Sequence, residues 1–578
     1  MEKNMKFLLA AVNAKYIHSN PALYSLKAYA GEKYKNQIEI AEYTINQYAR
    51  DILADIYLRK PDVVGFSCYI WNFEIIGKLL PELKKVLPDT DIWLGGPEVS
   101  FDADKLLLKY TSLTGIMIGE GEETFKELMG YYNGEILRLE DIDGLCLRSG
   151  FTRPRQLTDM SKLPFLYDDI SLFENKIIYY ESSRGCPYSC SYCLSSIDKK
   201  VRLRDTDIVK KELKFFLDND VKQVKFVDRT FNCNREHTRQ IWNFIKDNDN
   251  GITNFHFEVS ADILNDEEIR ILNSMRPGLV QLEIGVQSTN ESTIRAINRV
   301  MDVFHLAEIV NRIKMGNNVH VHLDLIAGLP YEDYDTFAKS FDRVYSMKPD
   351  ELQLGFLKVL KGSPMEQKTK EYGIMYNDNP TYEVLSTKWL SYGDVLKLKA
   401  VEDVVEIFYN SRQFTNTIAY MEKQFDSAFR MYELMAKYFA ENQSQIKSPA
   451  RVKRYEALLS FLSVYDSEKM EVYQELLKYD LYLREKAKSR PSFAGEPDKE
   501  AVRDFYMTEE KERKYLENYK GYDWKQMSKM THYEEFYYGK IVNDSIEWCS
   551  EKQNEKIRVL FDYRKRDALN GEARTYLV

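Results

Sequence analysis

The run Arg184-Gly185-Cys186-Pro187-Tyr188-Ser189-Cys190-Ser191-Tyr192-Cys193 decides how the rest of the chain is read. Three cysteines spaced CxxxCxxC stand on one short loop rich in Gly, Pro and Ser, and an apolar β-type stretch (176–180) leads into it. Thiolates are soft ligands suited to iron–sulfur clusters or zinc. Either metal normally takes four protein ligands, and this loop offers three. Three thiolates leave one cluster iron open, where a small molecule can be bound and reduced. A structural zinc site with Cys233 as fourth ligand is one alternative, but it gives no reason for the strands and helices that follow. Buried inert thiols are another, and three on one such loop are unusual as core filler.

The spacing, with aromatic Tyr192 just before the third cysteine, resembles that of the radical S-adenosylmethionine (SAM) superfamily. The resemblance implies that Cys186, Cys190 and Cys193 hold a [4Fe-4S] cluster whose open iron chelates SAM. Reductive cleavage of SAM would release a 5′-deoxyadenosyl radical, with an electron donor such as flavodoxin or ferredoxin. Strands are expected at 176–181, 223–228, 255–260, 279–286, 320–326 and 351–357, with helices between them. Six parallel strands make a partial TIM-type (β/α)6 barrel, whose chemistry belongs at the carboxyl strand ends. Asp228, Glu258, Ser260, Glu283, Gln287 and Asp324 gather there. The resemblance implies that Tyr192, Asp228, Glu258, Ser260 and Gln287 bind SAM, with Arg295 near its carboxylate. Each could instead be a hydrogen bond that only holds a loop. Cys233 should face the barrel mouth, as a hydrogen-atom donor or as a small apolar filler.

Residues 1–145 alternate β-type runs (7–12, 38–43, 62–67, 91–97, 115–118) with helical ones (21–31, 49–59, 72–86, from 123), the pattern of a doubly wound parallel sheet. Ligands bind such sheets at the carboxyl ends of the strands, where small residues let the backbone approach. Ser67, the run Gly95-Gly96-Pro97-Glu98 and the run Gly119-Glu120-Gly121 fall there. They resemble the cobalamin-binding domain that precedes the barrel in one branch of the superfamily, and they are expected, with Tyr16 and His18, to contact cobalamin. The DxHxxG motif of other cobalamin proteins is missing. His18 therefore reads as a hydrogen-bonding loop residue more than as a cobalt ligand. A flavodoxin-like domain without ligand is the alternative.

The boundaries read as a cobalamin domain at 1–145, a linker at 146–170 around Arg153-Pro154-Arg155 and Leu163-Pro164, a radical SAM core at 171–375 and a mainly helical domain at 376–578. Helical pattern covers 422–440, 454–465, 469–487 and 499–521, and 557–563 alternates like a strand. This last part resembles the extension of an uncharacterised bacterial subgroup and is expected to cap the barrel mouth and select the substrate.

With 578 residues, 44% hydrophobic and 30% charged, the chain reads as a soluble multidomain protein. No window suits a spanning helix, and the N-terminal run is too short for a signal peptide. Seven cysteines, three of them on one loop, point to a reducing, cytoplasmic setting. A net charge of −9 argues against a broad nucleic-acid surface. The reading is a cobalamin-dependent radical SAM methyltransferase acting at an unactivated carbon of a small molecule. Rivals are radical cyclisation, rearrangement or reduction, tRNA modification (favoured only by Lys/Arg-Tyr interleaving at 511–529), and a cofactor-binding sensor.

Overall fold

The computed structural model describes residues 5–442 and 450–578. The head of the N-terminal run, residues 1–4, lies outside the described residues.

The first sheet contains β1 (Phe7–Asn13), β2 (Ile38–Thr44), β3 (Val63–Ser67), β4 (Asp91–Gly95) and β5 (Gly115–Met117), all parallel, followed by β6 (Leu145–Leu147) and β7 (Gly150–Phe151), in the order β2-β1-β3-β4-β5-β6-β7. Every residue of β1 is buried, as expected of a strand covered on both faces. Helices Pro21–Ala30 and Glu122–Tyr132 cover one face, and Ala49–Arg59, Phe73–Val86 and Ala103–Lys109 the other. The chain order reverses between β1 and β3, which places the ligand crevice over the β1 and β3 carboxyl ends. The antiparallel hairpin β6–β7 carries the sheet past residue 145.

The cysteine loop opens the second unit. Strand β8 (Ile178–Tyr180) leads into a ribbon of β9 (Ser183–Arg184) and β10 (Arg202–Leu203), which pins both ends of the loop. Then come β11 (Gln223–Phe226), β12 (Asn254–Val259), β13 (Val280–Gln287), β14 (His320–Ala327) and β15 (Glu351–Phe356). With β8 they form the expected six-stranded parallel sheet, in the order β15-β14-β13-β12-β11-β8. Along β13 Val280, Leu282, Ile284 and Val286 are buried towards the helices, and Gln281, Glu283, Gly285 and Gln287 alternate on the other face. That face makes the lumen polar. Glu283 accepts from Lys225 Nζ (3.1 Å) and pairs with His256 Nε2 (2.8 Å). Burial pushes the Glu283 carboxyl up, but the His256 contact and the Lys225 charge outweigh it and hold it at about 2.

A hairpin of β16 (Met375–Tyr376) and β17 (Val384–Ser386) follows, then, among the described residues, five helices of 14 or 15 residues between Tyr392 and Glu512. The last sheet joins β18 (Thr531–Phe536), β21 (Ile557–Arg566) and β22 (Ala573–Leu577), beside the hairpin β19 (Gly539–Val542) and β20 (Ser545–Trp548). The run expected as a strand at 557–563 is thus β21, and it pairs within the C-terminal part. This part, expected to cap the barrel mouth, meets the barrel at both of its ends. Arg412 pairs with Asp350 (2.6 Å), just before β15, and Ala568 packs on Gly278, just before β13. The Asn410 side chain bonds both backbone groups of Leu352 and so finishes the free edge of β15. Those contacts reach the amino ends and the open side of the barrel, while the first hairpin of the extension stands at the carboxyl ends, with Val384 against Gly328 just after β14 and the Tyr382 hydroxyl donating to Glu98. Apolar Val395, Leu398, Val401 and Phe439 share one core with the barrel helices, which fixes the extension in that place.

Glu332 follows the Gly328-Leu329-Pro330 turn and is 1% exposed. One oxygen accepts from Ser288 Oγ (2.6 Å) and Ser340 Oγ (2.8 Å), and the other is buried without a partner. Burial pushes its carboxyl up to about 7. The folded state therefore keeps a proton that the unfolded chain has already lost, so stability is full below the ordinary carboxylate range and falls as pH rises towards 7. Glu332→Gln is expected to unfold at higher denaturant than wild type at pH 8, by roughly 3 kcal/mol, with no gain at pH 4. Equal gains at both pH values would contradict this reading.

Candidate active site

Cys186, Cys190 and Cys193 line one cavity at the carboxyl ends of the barrel strands, together with Glu258, Ser260, Gln287 and Asp324. The loop's shape follows from its small residues and its anchors. Gly185 has φ +93, and a Cβ there would meet the Lys200 carbonyl oxygen at 2.5 Å. The Cys186 N–H donates to the Asp198 carbonyl (2.9 Å), and the Ser191 N–H to that of Ile297 (2.9 Å). Three soft donors on one pinned loop, facing a cavity lined with polar groups, fit an iron–sulfur cluster with an open position. Cys233, the fourth ligand of the zinc alternative, is not among the residues lining this cavity, and burial pushes its thiol up to about 11.

The cavity wall is built for a polar ligand. Gln287 has φ +72, and its Oε1 is buried without a partner. Gly285 makes room for it, since a Cβ there would stand 2.1 Å from Gln287 Nε2. Burial pushes Glu258 up to about 7, against the pull of the Arg229 charge. Ser260 donates to Asp262 (2.7 Å). Tyr192 lines the cavity and packs on the apolar cluster around Leu357 and Met365.

Two of the SAM residues named from the sequence sit elsewhere. Asp228 is 1% exposed and accepts from the Ser182 N–H (3.0 Å), the Ser182 hydroxyl (2.6 Å) and the Ser183 hydroxyl (2.6 Å). It anchors the entry to the cysteine loop instead of facing ligand. Arg295 is exposed on helix Glu291–Ala296. The chain turns after that helix, with Asn298 at φ +54, and brings Arg299 into the cavity. Arg229, Tyr188 and Thr230 also line it and were missed, because nothing in their spacing sets them apart.

The carboxyl edge of the first sheet is turned towards the carboxyl edge of the barrel. Beyond β5, Glu122 pairs with Arg184 (2.6 Å) and Glu120 with Arg202 (2.6 Å). Beyond β4, Glu98 pairs with Lys361 (3.0 Å) and accepts from Tyr382. Beyond β1, His18 forms a bridge to Ile177, and its Nδ1 lies 2.5 Å from the Tyr179 hydroxyl. Glu98 and Glu120, expected to contact cobalamin, each form an ion pair that joins the two domains. His18 is hydrogen-bonded to Tyr179, and Ser67 is buried against Asn20 (3.2 Å). Gly95 and Gly96 (φ +112) form the tight turn against Cys68, and Gly121 packs on Leu26. The loops of this edge also expose Tyr16 (72%), Trp71 (42%) and Phe101 (45%), and Pro97 and Gly119 are exposed beside them. No atom lies within 4 Å of a Cβ built on Gly119. An uncovered aromatic rim over small residues suits a broad, half-apolar macrocycle such as a corrin.

Comparison with known proteins agrees with this geometry. Residues 8–129 match the B12 binding domain family, 180–344 the radical SAM superfamily, and 370–561 a protein family of unknown function, DUF4080. The chain is 24% identical over 353 residues to the cobalamin-dependent radical SAM methyltransferase TokK of Streptomyces tokunonensis, covering 56% of this chain and 51% of that protein. It is 22% identical over 443 residues to the 2-(S-pantetheinyl)-carbapenam-3-carboxylate methyltransferase of Streptantibioticus cattleyicolor, covering 66% and 62%. The chain thus spans less than two thirds of either relative. The cobalamin-dependent SAM radical enzyme OxsB, solved with aqua-cobalamin and SAM, shares the fold with a TM-score of 0.56 at 14% identity, over 82% of this chain and 80% of that one. The radical SAM methyltransferase TsrM from Kitasatospora setae aligns at 0.53 and 16% identity, over 65% and 78%. With a B12 binding domain whose sheet faces the cysteine loop of a radical SAM domain, the chain joins these two family domains to a DUF4080 region.

Proposed function

We propose that the protein methylates an unactivated carbon of a small molecule. The observation that carries this is the opposition of the two carboxyl edges, held by Glu122–Arg184, Glu120–Arg202 and Glu98–Lys361. A substrate between them would meet both cofactor sites at once. When bound, the cluster and SAM supply a 5′-deoxyadenosyl radical and the corrinoid supplies a transferable methyl group. Cys186, Cys190 and Cys193 would hold the cluster, and Glu258 and Gln287 offer polar groups to SAM. The aromatic rim of Tyr16, Trp71 and Phe101 would cover the corrin. The ion pairs keep the two edges aligned.

A small-molecule substrate fits the net charge of −9. TsrM, whose structure holds tryptophan as substrate, is a precedent for that size class. A one-electron donor of the flavodoxin or ferredoxin type would supply the electron. Seven unpaired thiols suit a reducing cytoplasm. Among the described residues no helix is long and apolar enough to cross a membrane.

The test uses reduced, reconstituted protein, methyl-deuterated SAM and a cellular small-molecule extract. Label is expected in one small molecule, together with 5′-deoxyadenosine. Radical consumption with an unlabelled product would replace methylation by cyclisation, rearrangement or reduction, and label in the tRNA fraction would move the substrate class.

A further inference from the structure

We propose that Arg299 is the counter-cation of the cluster: through its contact with Cys190 it favours the reduced state and sets how readily the cluster accepts an electron. The inference rests on the cluster assignment above.

Arg299 is held in place from both sides. Its segment is stapled to the cysteine loop by the Ser191 N–H to Ile297 carbonyl bond (2.9 Å). Its Nη2 donates to the Gly285 carbonyl, while Nη1 lies 3.3 Å from the Tyr192 hydroxyl and 3.8 Å from Cys190 Sγ. Its Nε is buried without a partner. Of the other arginines nearby, Arg184 has Glu122, Arg202 has Glu120 and Arg204 has Glu212, while Arg229 also lines the cavity but, unlike Arg299, makes no contact with a cysteine sulfur among the described residues. Among the described residues Arg299 has no carboxylate within ion-pair distance.

A guanidinium stays charged even when buried, and a buried charge without a counter-ion is strongly disfavoured. The anion available to Arg299 is the thiolate set that begins at Cys190. Hydrogen bonds to cluster sulfurs and the local net charge set reduction potential, and a cation favours the more negative redox state. The step is simple to balance. One electron enters the cluster from a one-electron reductant, no bond forms or breaks, and no proton moves, because the guanidinium is charged before and after.

The test is a potentiometric titration, followed by electron paramagnetic resonance, of full-length reconstituted protein, wild type against Arg299→Gln and Arg299→Lys at matched iron content. Dithionite is the reductant and no substrate is added. For Arg299→Gln the reduced-to-oxidised ratio at a fixed potential is expected to fall about tenfold, a shift of ~59 mV for a one-electron couple. Arg299→Lys, which keeps the charge, is expected to retain most of the wild-type potential. Should Gln lose the cluster altogether, Arg299→Met takes its place as the uncharged variant: a cluster harder to reduce than wild type by a similar amount supports the proposal, and a wild-type potential opposes it. Unchanged potentials in both variants with weaker SAM binding would overturn the proposal and leave Arg299 as a SAM clamp. A wild-type protein that takes up no cluster would overturn the assignment beneath it.

Discussion

Replacing Cys190 by alanine is expected to abolish the cluster, and with it all SAM cleavage. Each of Cys186, Cys190 and Cys193 lines the same cavity, and no other cysteine does. A cubane held by three thiolates already has one open iron, so loss of a second protein ligand leaves it without a stable seat. Iron and sulfide content after anaerobic reconstitution, together with the charge-transfer absorbance, should drop to background. 5′-Deoxyadenosine formation should fall at least a thousandfold, about 4 kcal/mol of barrier. The fold should survive, because the small cysteine side chain contributes little packing here. A Cys190→Ala protein that keeps its iron would show that the loop does not hold the cluster.

Asp228→Ala is expected to have the next largest effect, through the loop and not through SAM. Three donors from Ser182 and Ser183 converge on this carboxylate, and the Ser182 hydroxyl also meets His237 Nε2 (3.1 Å). Removing the acceptor strands these groups in a buried site, at a cost of roughly 3–5 kcal/mol. The entry to the cysteine loop should loosen, so thermal stability and cluster occupancy should fall together. SAM affinity, measured on the fraction that still holds a cluster, should stay near wild type. Asp228→Asn, which keeps an acceptor, should lie between the two. Weaker SAM binding with full cluster occupancy would restore the role read for Asp228 from the sequence.

That contrast shows how far the sequence reaches. Buried parallel strands write themselves as short apolar runs, so β1 to β5 and all six barrel strands were legible to within a few residues. The cysteine loop was legible because three soft ligands on one turn have few other uses. What stayed hidden was the source of each partner. Asp228 ends a barrel strand as a ligand contact would, but its donors come from the turn after β8. Glu98 and Glu120 sit on ligand-binding loops of the first sheet, yet their cations, Lys361 and Arg202, lie hundreds or tens of residues away. Arg295 and Arg299 are one helical turn apart, and only the backbone turn at Asn298 decides which one enters the cavity. The position of the C-terminal extension was equally hidden, since amphipathic helices declare that they pack but not against which end of a barrel.

The central claim is that one chain carries both a cluster and a corrinoid between facing edges. Anaerobic reconstitution with iron, sulfide and hydroxocobalamin, followed by metal analysis and a SAM cleavage assay, tests it most directly. About four irons per chain, an equimolar bound corrinoid and 5′-deoxyadenosine are the expected result. A full cluster and active SAM cleavage with no retained corrinoid would contradict the claim and leave a radical enzyme whose first sheet serves another ligand.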